Sequence, residues 1–459
     1  MKLDAPVSIA ALGARTLLVG QLPKLLELTT DTRTIVGGET FLALAGDRFD
    51  GHDFLGVAFE SGAATCIVSD AARVPAGCSA ILVEDTLKAY LQLAHLARRK
   101  IAGRVVAITG SAGKTTTKAF LSQLLSAASI AATATPENEN NEIGVSKFLL
   151  QLEAGDLRVA IVEMGARKYR DIDVLVEAAQ PDVAVLTNIG EAHLEIFGSR
   201  ERLATTKWGI FGTNARAVLN LADDASRERA ATLEVTPIWF GTGDVAPPHG
   251  EPGVVLRDAR HALVYDGTSR EEFAIQIDVP GEHNRRNAAA AVAAGIALGY
   301  PPANLVAHLK DLRLPSGRYQ RFIVADGMHV IFDAYNASMS GALATLNAFA
   351  QESASRRIAV IGGMAELGTE SAAMHRRVGR AAGEISDYVL VGGDFVSDLE
   401  RGALDAGVPA QTIVRYADNA DAIAWLRMHA TRGDAILLKG SRKYKMEEIA
   451  AALGAEMSA

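Results

Sequence analysis

Lys114 and Thr115 lie in the run RVVAITGSAGKTTTK, residues 104 to 118, whose residue types and spacing suit the holding of a polyphosphate. Arg104 to Thr109 is a short apolar stretch with β-branched residues, Gly110, Ser111, Ala112 and Gly113 make a small-residue turn, and Lys114 opens a helical pattern. That order of strand, glycine turn and helix start presents backbone N–H groups and a helix N-terminus to an anion. Lys114 is then placed to reach β- and γ-phosphates, and the Thr115 hydroxyl to ligate Mg²⁺. The match departs from GxxxxGK[ST] in one place, because Ile108 stands where the first glycine is usual. Strand and helix flank the turn as a phosphate loop requires, so the pattern implies a bound triphosphate.

Other residues able to do chemistry fall at the ends of apolar runs. Glu163 closes the run Leu157 to Met164, and His193 lies a few residues past Val183 to Thr187, within TNIGEAHLEIFGS. In a mostly parallel sheet covered on both faces, ligands bind at the carboxyl ends of strands. A carboxylate, an imidazole and the loop Thr115 could there share Mg²⁺ ions bridging a triphosphate and a second substrate. Lys207, on a helical pattern in ERLATTKWGIF, reads on its own as an ordinary solvated lysine. Asn284 and Asn287 lie in the first turn of the strong helix former that follows PGEHNRRN, where they could contact a base or ribose or simply cap the helix.

These positions need a scaffold, and 459 residues at 49% hydrophobic give a globular chain with room for about three domains. Residues 1–101 read as a small α/β domain, with strands at Thr40 to Ala45 and Ala64 to Val68 and helices at Leu55 to Ser61 and Leu87 to Lys100. Its two polar clusters, Asp31-Thr32-Arg33 and GDRFDGHD (46–53), read locally as turns. Residues 102–312 form the phosphate-loop domain, including a helix at Ile172 to Ala179. After the joint LPSGRYQRF, residues 313–459 read as a doubly wound, Rossmann-like third domain. Its strands are His329 to Asp333, Ile358 to Gly362, Tyr388 to Val391 and Ala435 to Lys439. Their ends carry Asp333 with Tyr335 and Asn336, then Glu366 with His375 farther on, then Lys439 to Arg442, as expected of a domain that closes over a ligand held by the central one.

A net charge of −8 without a long basic run argues against a nucleic-acid or anionic-membrane surface. The cysteines, Cys66 and Cys78, have neither metal-ligand spacing nor disulfide-scaffold density, and no apolar run approaches the length of a membrane span. A soluble, cytoplasmic, monomeric protein is expected.

The motifs TGSAGKTTTK, NNEIGV, VEMGA, PDVAVLTNIGEAHLEIFGS, the lysine of TTKWGIF, GEHNRRNAAAA, LPSGR, DAYNA and LLKGSR occur in that order. Together they resemble the Mur ligase family across essentially the whole chain. DTRTIVGGETFLALAGDRFDGHDF, NNEIGV and MAELGTES with His375 and Gly379 resemble its MurF type. The resemblance implies an ATP-dependent ligase of peptidoglycan precursor synthesis, joining D-alanyl-D-alanine to UDP-MurNAc-tripeptide through an acyl phosphate. It implies that Gly110 to Thr116, Asn284, Asn287, Arg318 and Asp333 bind ATP, and that Thr115, Glu163, His193 and a carbamylated Lys207 hold two Mg²⁺ ions. Lys114, Lys207 and His193 become the catalytic set. Asp31, Thr32 and Arg33 then hold the uridine nucleotide, with Asn141, Tyr335 and Asn336 also on the substrates.

The chain departs from the family at Ser338-Met339-Ser340-Gly341, where a proline is usual, and at Gly363 and Ala365 in the run that usually reads like GDMLELG. Those changes leave open a paralogue that ligates a different amine. A P-loop ATPase or switch has no use for Glu163, His193 and Lys207 together, and a silent scaffold has no use for any of the set.

Overall fold

The computed structural model describes residues 1–19, 21–46, 49–136, 139–153, 155, 157–190, 194–324 and 326–456. Three large sheets follow one another along the chain, as expected for a three-part α/β protein, and Ala45–Gly46 with Phe49–Asp50 makes a small two-stranded one. The first has six strands in the order Lys2–Asp4, Leu25–Thr29, Thr40–Leu42, Thr65–Val68, Ala80–Leu82, Arg15–Leu17. Its four inner strands are parallel and its two edge strands antiparallel. The helix Thr86–Arg98 buries Leu93, Ala94 and Ala97 in one apolar cluster with Leu42 and Ile67 of this sheet and Val105 and Ala107 of the next.

Seven strands of the central sheet pair in parallel, and two more join its far edge through antiparallel pairings. Arg104–Thr109 lies inside it, between Val159–Glu163 and Val183–Leu186. Alternation along the strand sends Val105 and Ala107 to one face and Val106 and Ile108 to the other, so both faces need cover. The helices Glu142–Gln151 and Asp171–Ala179 cover the first face, and Lys114–Ala127 with Glu282–Ala297 the second. Ile108 is therefore a core strand residue, fully buried, and the loop proper begins at Gly110. Register places Glu163 opposite Ile108 and Leu186 opposite Thr109, so the three strands end together along one edge.

The third sheet runs Gln320–Ile323, His329–Phe332, Ala435–Lys439, Arg357–Ile361, Tyr388–Val391, Ile413–Arg415, parallel except for the first hairpin. Helices Met339–Phe349 and Ser371–Ile385 pack on one face and Asn419–His429 on the other, the doubly wound arrangement. The joint into it is tied to the central unit: Arg313 N donates to Gln123 Oε1 at 2.7 Å, and Gln123 Nε2 donates to Arg313 O at 2.8 Å.

Candidate functional site

The strand Arg104–Thr109 runs into Gly110, and Gly113 (φ 83°) is the N-cap of Lys114–Ala127 without offering a side-chain cap. Positive φ there suits glycine, and a Cβ at Gly113 would also strike Asn287 Oδ1. The segment after the next strand bolts the loop in place. Ser111 N donates to Asn188 O and Ala112 N to Asn188 Oδ1, both at 3.0 Å, and Thr187 Oγ1 donates to Ala112 O at 2.6 Å. Asn188 thus engages two loop N–H groups, and the uncapped helix start is the part of the loop offered to an anion.

Two lysines converge beneath it. Lys114 Nζ donates to Gly110 O at 2.8 Å and Lys207 Nζ to the same oxygen at 3.0 Å. Lys207, on the helix Arg200–Trp208, is 1% exposed, which overturns its local reading as a solvated lysine. Burial, reinforced by the Lys114 charge, pushes its pKa well below the ordinary lysine value, toward the neutral amine.

Glu163, 3% exposed, sits at the centre of a small polar web. Its Oε1 accepts from Thr115 Oγ1 at 3.2 Å and from Asn140 Nδ2 at 3.0 Å, and its Oε2 pairs with Lys118 Nζ at 3.1 Å. Burial favours the neutral acid, but Lys118 and Lys114 outweigh it and hold the carboxyl below its usual range. The Mg²⁺ that the resemblance implies needs hard oxygen ligands, and Thr115 and Glu163 supply two at the cleft floor. Among the described residues no three His, Cys, Asp or Glu side chains converge on a point. The pair fits an ion that keeps most of its coordination for phosphate oxygens and water.

The opposite wall comes from the third sheet, and the cleft between is lined by Lys114, Glu163 and Lys207 on one side and Arg318, Asp333 and Tyr335 on the other. Arg318 lies over the Tyr335 ring at 4.5 Å. Asp333 is engaged within the protein: it pairs with Lys439 at 3.1 Å, accepts from Tyr319 N at 3.2 Å, and accepts from Thr345 Oγ1. Lys439 Nζ also donates to the carbonyls of Asp333 (2.9 Å) and Asn336 (2.8 Å), which fixes the turn that carries Tyr335 and Asn336.

Models of the Mur ligase family match three stretches: its catalytic domain over residues 25–101, its middle domain over 108–295 and its glutamate ligase domain over 317–442. UDP-N-acetylmuramoyl-tripeptide–D-alanyl-D-alanine ligase of Bacillus subtilis is 32% identical over 92% of both chains, and that of Escherichia coli is 32% identical over 93% of both. The chain belongs to the Mur ligase family. Within that family it superposes on MurF from Acinetobacter baumannii with a TM-score of 0.86 at 29% identity over 99% of both chains. MurF from Thermotoga maritima, solved in complex with ADP, gives 0.78 at 28% identity over 94% of this chain and 98% of that one.

Of the residues singled out as a Mur ligase site, Ser111 to Thr116, Asn141, Glu163, Lys207, Asn284, Asn287, Arg318, Asp333, Tyr335 and Asn336 all line the one cleft. Gly110 lies behind it as the acceptor of both lysines. His193 lies outside the described residues. Asn284 and Asn287 do not cap their helix: Asn284 Nδ2 bonds back to Pro280 O at 2.9 Å, and Asn287 packs on Gly113. Asn141 does cap, accepting from Gly144 N at 2.9 Å, and its neighbour Asn140 is the one that meets Glu163. Asp31, Thr32 and Arg33 stand apart from the cleft, on a turn where Arg33 clamps Asp31 at 2.6 Å and holds its pKa down to about 2. The cluster around residue 50 is a structural turn, with buried His52 bridging Asp50 (2.7 Å) and Ser69 N (3.0 Å).

The family departures have local causes. Ser338 is the N-cap of Met339–Phe349 and accepts from Gly341 N at 3.3 Å. A side chain at 363 would run into the Tyr444 ring, which occupies that space here. Sequence reading missed Lys118 and Asn140. Lys118 could have been found from its i, i+4 spacing to Lys114, which puts both on one helix face.

Proposed function

We propose that the chain uses ATP to join D-alanyl-D-alanine to UDP-N-acetylmuramoyl-tripeptide, releasing ADP and phosphate. The observation that carries this reading is the single cleft in which the phosphate loop, Glu163 and Lys207 of the central unit face Arg318 and Asp333 of the C-terminal one. Full-length similarity to enzymes of that name supports the choice of substrates.

A carboxylate is a poor acyl donor because its leaving group is poor, and attack of its oxygen on the γ-phosphoryl makes an acyl phosphate with a good one. Lys114, at the helix start, neutralises charge developing on the transferred group. The amine nitrogen then bonds to the acyl carbon, the C–O bond to phosphate breaks through a tetrahedral intermediate, and the amine gives up its proton as phosphate leaves. Arg318, over the Tyr335 ring, and the Asp333–Lys439 wall close the cleft, so that water does not reach the acyl phosphate. Thr115 and Glu163, with His193 by resemblance, would hold Mg²⁺, which supplies charge neutralisation between the two anionic substrates. Lys207 suits carbamylation, since only a neutral amine attacks CO₂ and its burial favours that form. The resulting anion would add a ligand for a second ion.

In this reading residues 1–101 bind the uridine nucleotide through Asp31, Thr32 and Arg33, residues 102–312 bind ATP, and residues 313–459 close on nucleotide and amine. ATP and a UDP-linked donor are both cytoplasmic nucleotides, so the reading includes a cytoplasmic enzyme, acting as a monomer because one chain carries the whole residue set. The test is to incubate the protein with ATP, Mg²⁺, UDP-MurNAc-tripeptide and a panel of amines, following phosphate release and product mass. Product with D-alanyl-D-alanine upholds the proposal. Product with another amine only would keep the ligase chemistry and replace the substrate.

A further inference from the structure

The joint between the central and C-terminal units holds a separate cavity of about 420 Å³, large enough for a small molecule. The central unit lines it with the stretch from Val279 to His283 and with Arg285 and Arg286. The C-terminal unit lines it with Arg321, Glu352 and the later turns of the helix Met339–Phe349. Of these residues only His283 also lines the phosphate cleft, so the cavity lies behind that cleft and not within it.

Its lining carries three guanidiniums, Arg285, Arg286 and Arg321, against two carboxylates, Glu282 and Glu352. Arg286 NH2 donates to Glu282, whose Oε1 also accepts from Thr242 Oγ1 at 2.8 Å. Arg321 donates through Nε (3.0 Å) and NH2 (2.7 Å) to one oxygen of Glu352. Arg285 lies within the field of Glu282, yet among the described residues it makes no side-chain hydrogen bond and no ion pair. Each carboxylate is already engaged, and the surplus positive charge rests on a half-buried guanidinium whose donors are unused. An anion entering the cavity would meet those donors first.

We propose that this cavity binds a small phosphate monoester, gripped by Arg285 and Arg286 from one unit and Arg321 from the other, and that its occupancy tightens the cleft's hold on ATP. A phosphate dianion offers three oxygens to forked guanidinium donors, and 420 Å³ leaves room for a short organic arm beside Asn347 and Gln351. The link to the cleft runs through Glu352. Its Oε1, which takes Arg321, also accepts from Tyr319 Oη at 3.0 Å, and Tyr319 is a cleft residue, 2% exposed, whose N–H donates to Asp333. An anion that draws Arg321 toward itself leaves Glu352 Oε1 to Tyr319, which strengthens that bond and steadies Asp333. On the other wall Arg286 is followed by Asn287, which packs on Gly113 of the phosphate loop. A ligand that bridges the arginines therefore acts on both walls of the cleft, and it binds best when the units stand together.

The test is calorimetric titration of glycerol 3-phosphate, with glycerol as the uncharged control, into the protein saturated with Mg²⁺ and a non-hydrolysable ATP analogue that fills the phosphate loop. The wild type should bind one equivalent with a Kd below about 1 mM, and glycerol should not bind. Arg285→Gln and Arg321→Gln should each weaken binding about tenfold or more, whereas Arg33→Ala should leave it unchanged. In the reverse titration, saturating glycerol 3-phosphate should lower the wild-type Kd for the ATP analogue about fivefold and leave that of Arg285→Gln alone. No binding by the wild type, or binding that Arg285→Gln retains in full, would overturn the site. Binding that leaves the Kd for the ATP analogue unchanged would overturn the action on the cleft. Every readout is a binding constant, so failure here leaves the ligase reading standing. Thermal melts report folding, and Arg285→Gln, which breaks no bond, decides alone if Arg321→Gln does not fold.

Discussion

Two ion pairs mark two regions that the substrates would span. Lys118 and Glu163 meet at 3.1 Å with 7% and 5% of their side chains exposed, whereas Arg33 and Asp31 meet at 2.6 Å with 87% and 38% exposed. Removing one partner of a buried pair strands the other charge in a medium that solvates it poorly, at a cost of about 3–5 kcal/mol. An exposed pair is screened by water and contributes about 0–1 kcal/mol. The cleft is therefore a place where charge is fixed before a ligand arrives, and the Asp31 turn is a place where a polar hand is held out on the surface. Substitutions in the first should damage chemistry and folding together, and those in the second should touch recognition alone.

The sharpest break in that comparison is Lys114→Ala. Its ammonium is the cation nearest the transferred phosphoryl in the proposed reaction, and loss of such a contact is expected to lower kcat by about 10³-fold or more, roughly 4 kcal/mol. Phosphate release that stayed within tenfold of wild type would remove Lys114 from the mechanism. Lys118→Met comes next, and its readout is stability. It leaves Glu163 buried with Asn140 and Thr115 as remaining donors, so urea unfolding should show a loss of about 3 kcal/mol. A loss under 1 kcal/mol would mean that the carboxylate is better solvated than its burial indicates.

His283, between the cleft and the C-terminal unit, supplies the pH arm. Burial is the main cause that lowers its pKa from 6.5 to about 4, with Lys439, Arg286 and Arg285 adding to it and Asp333 opposing. Between those values the unfolded chain binds the proton and the folded chain does not, so this group subtracts stability as pH falls from about 6.5 to about 4 and subtracts nothing above. His283→Asn should flatten that part of the stability curve by about 2 kcal/mol between pH 7 and pH 4.5. Equal slopes in wild type and variant would show that His283 titrates freely.

How much of this was legible in the sequence follows the same divide. The strands Arg104–Thr109, Val159–Glu163 and Val183–Leu186 are buried on both faces, read as continuous apolar runs and were found within a residue or three. The three-residue edge strands Lys2–Asp4 and Arg15–Leu17 carry no such run, and pairing with a neighbour is all that defines them. Lys207 looks solvated in its own helix because burial is decided by Gly110 and the phosphate loop, far away in the chain. The resemblance to a family marked it where the local pattern could not. Asn140 and Asn141 are adjacent and of one type, so only the helix start at Glu142 decides which caps and which reaches Glu163.

Arg33→Ala is the smallest expected effect and the one that sharpens the comparison most. The Arg33 guanidinium makes three bonds to the Asp31 carboxylate in the structure, through Nε to both oxygens and through NH2 to Oδ2. Each partner lies on the surface, and Asp31 also caps the short helix Thr32–Thr34 by accepting from Arg33 N at 3.0 Å, a bond the alanine variant keeps. Stability should therefore change by less than about 0.5 kcal/mol. If the turn binds the uridine nucleotide, a phosphate can replace Asp31 on the guanidinium, and the variant should raise the KM for UDP-MurNAc-tripeptide several-fold while leaving that for ATP alone. An unchanged KM for the UDP-peptide would take Arg33 out of the donor site, and a matching rise in the KM for ATP would show that the two regions are coupled rather than separate.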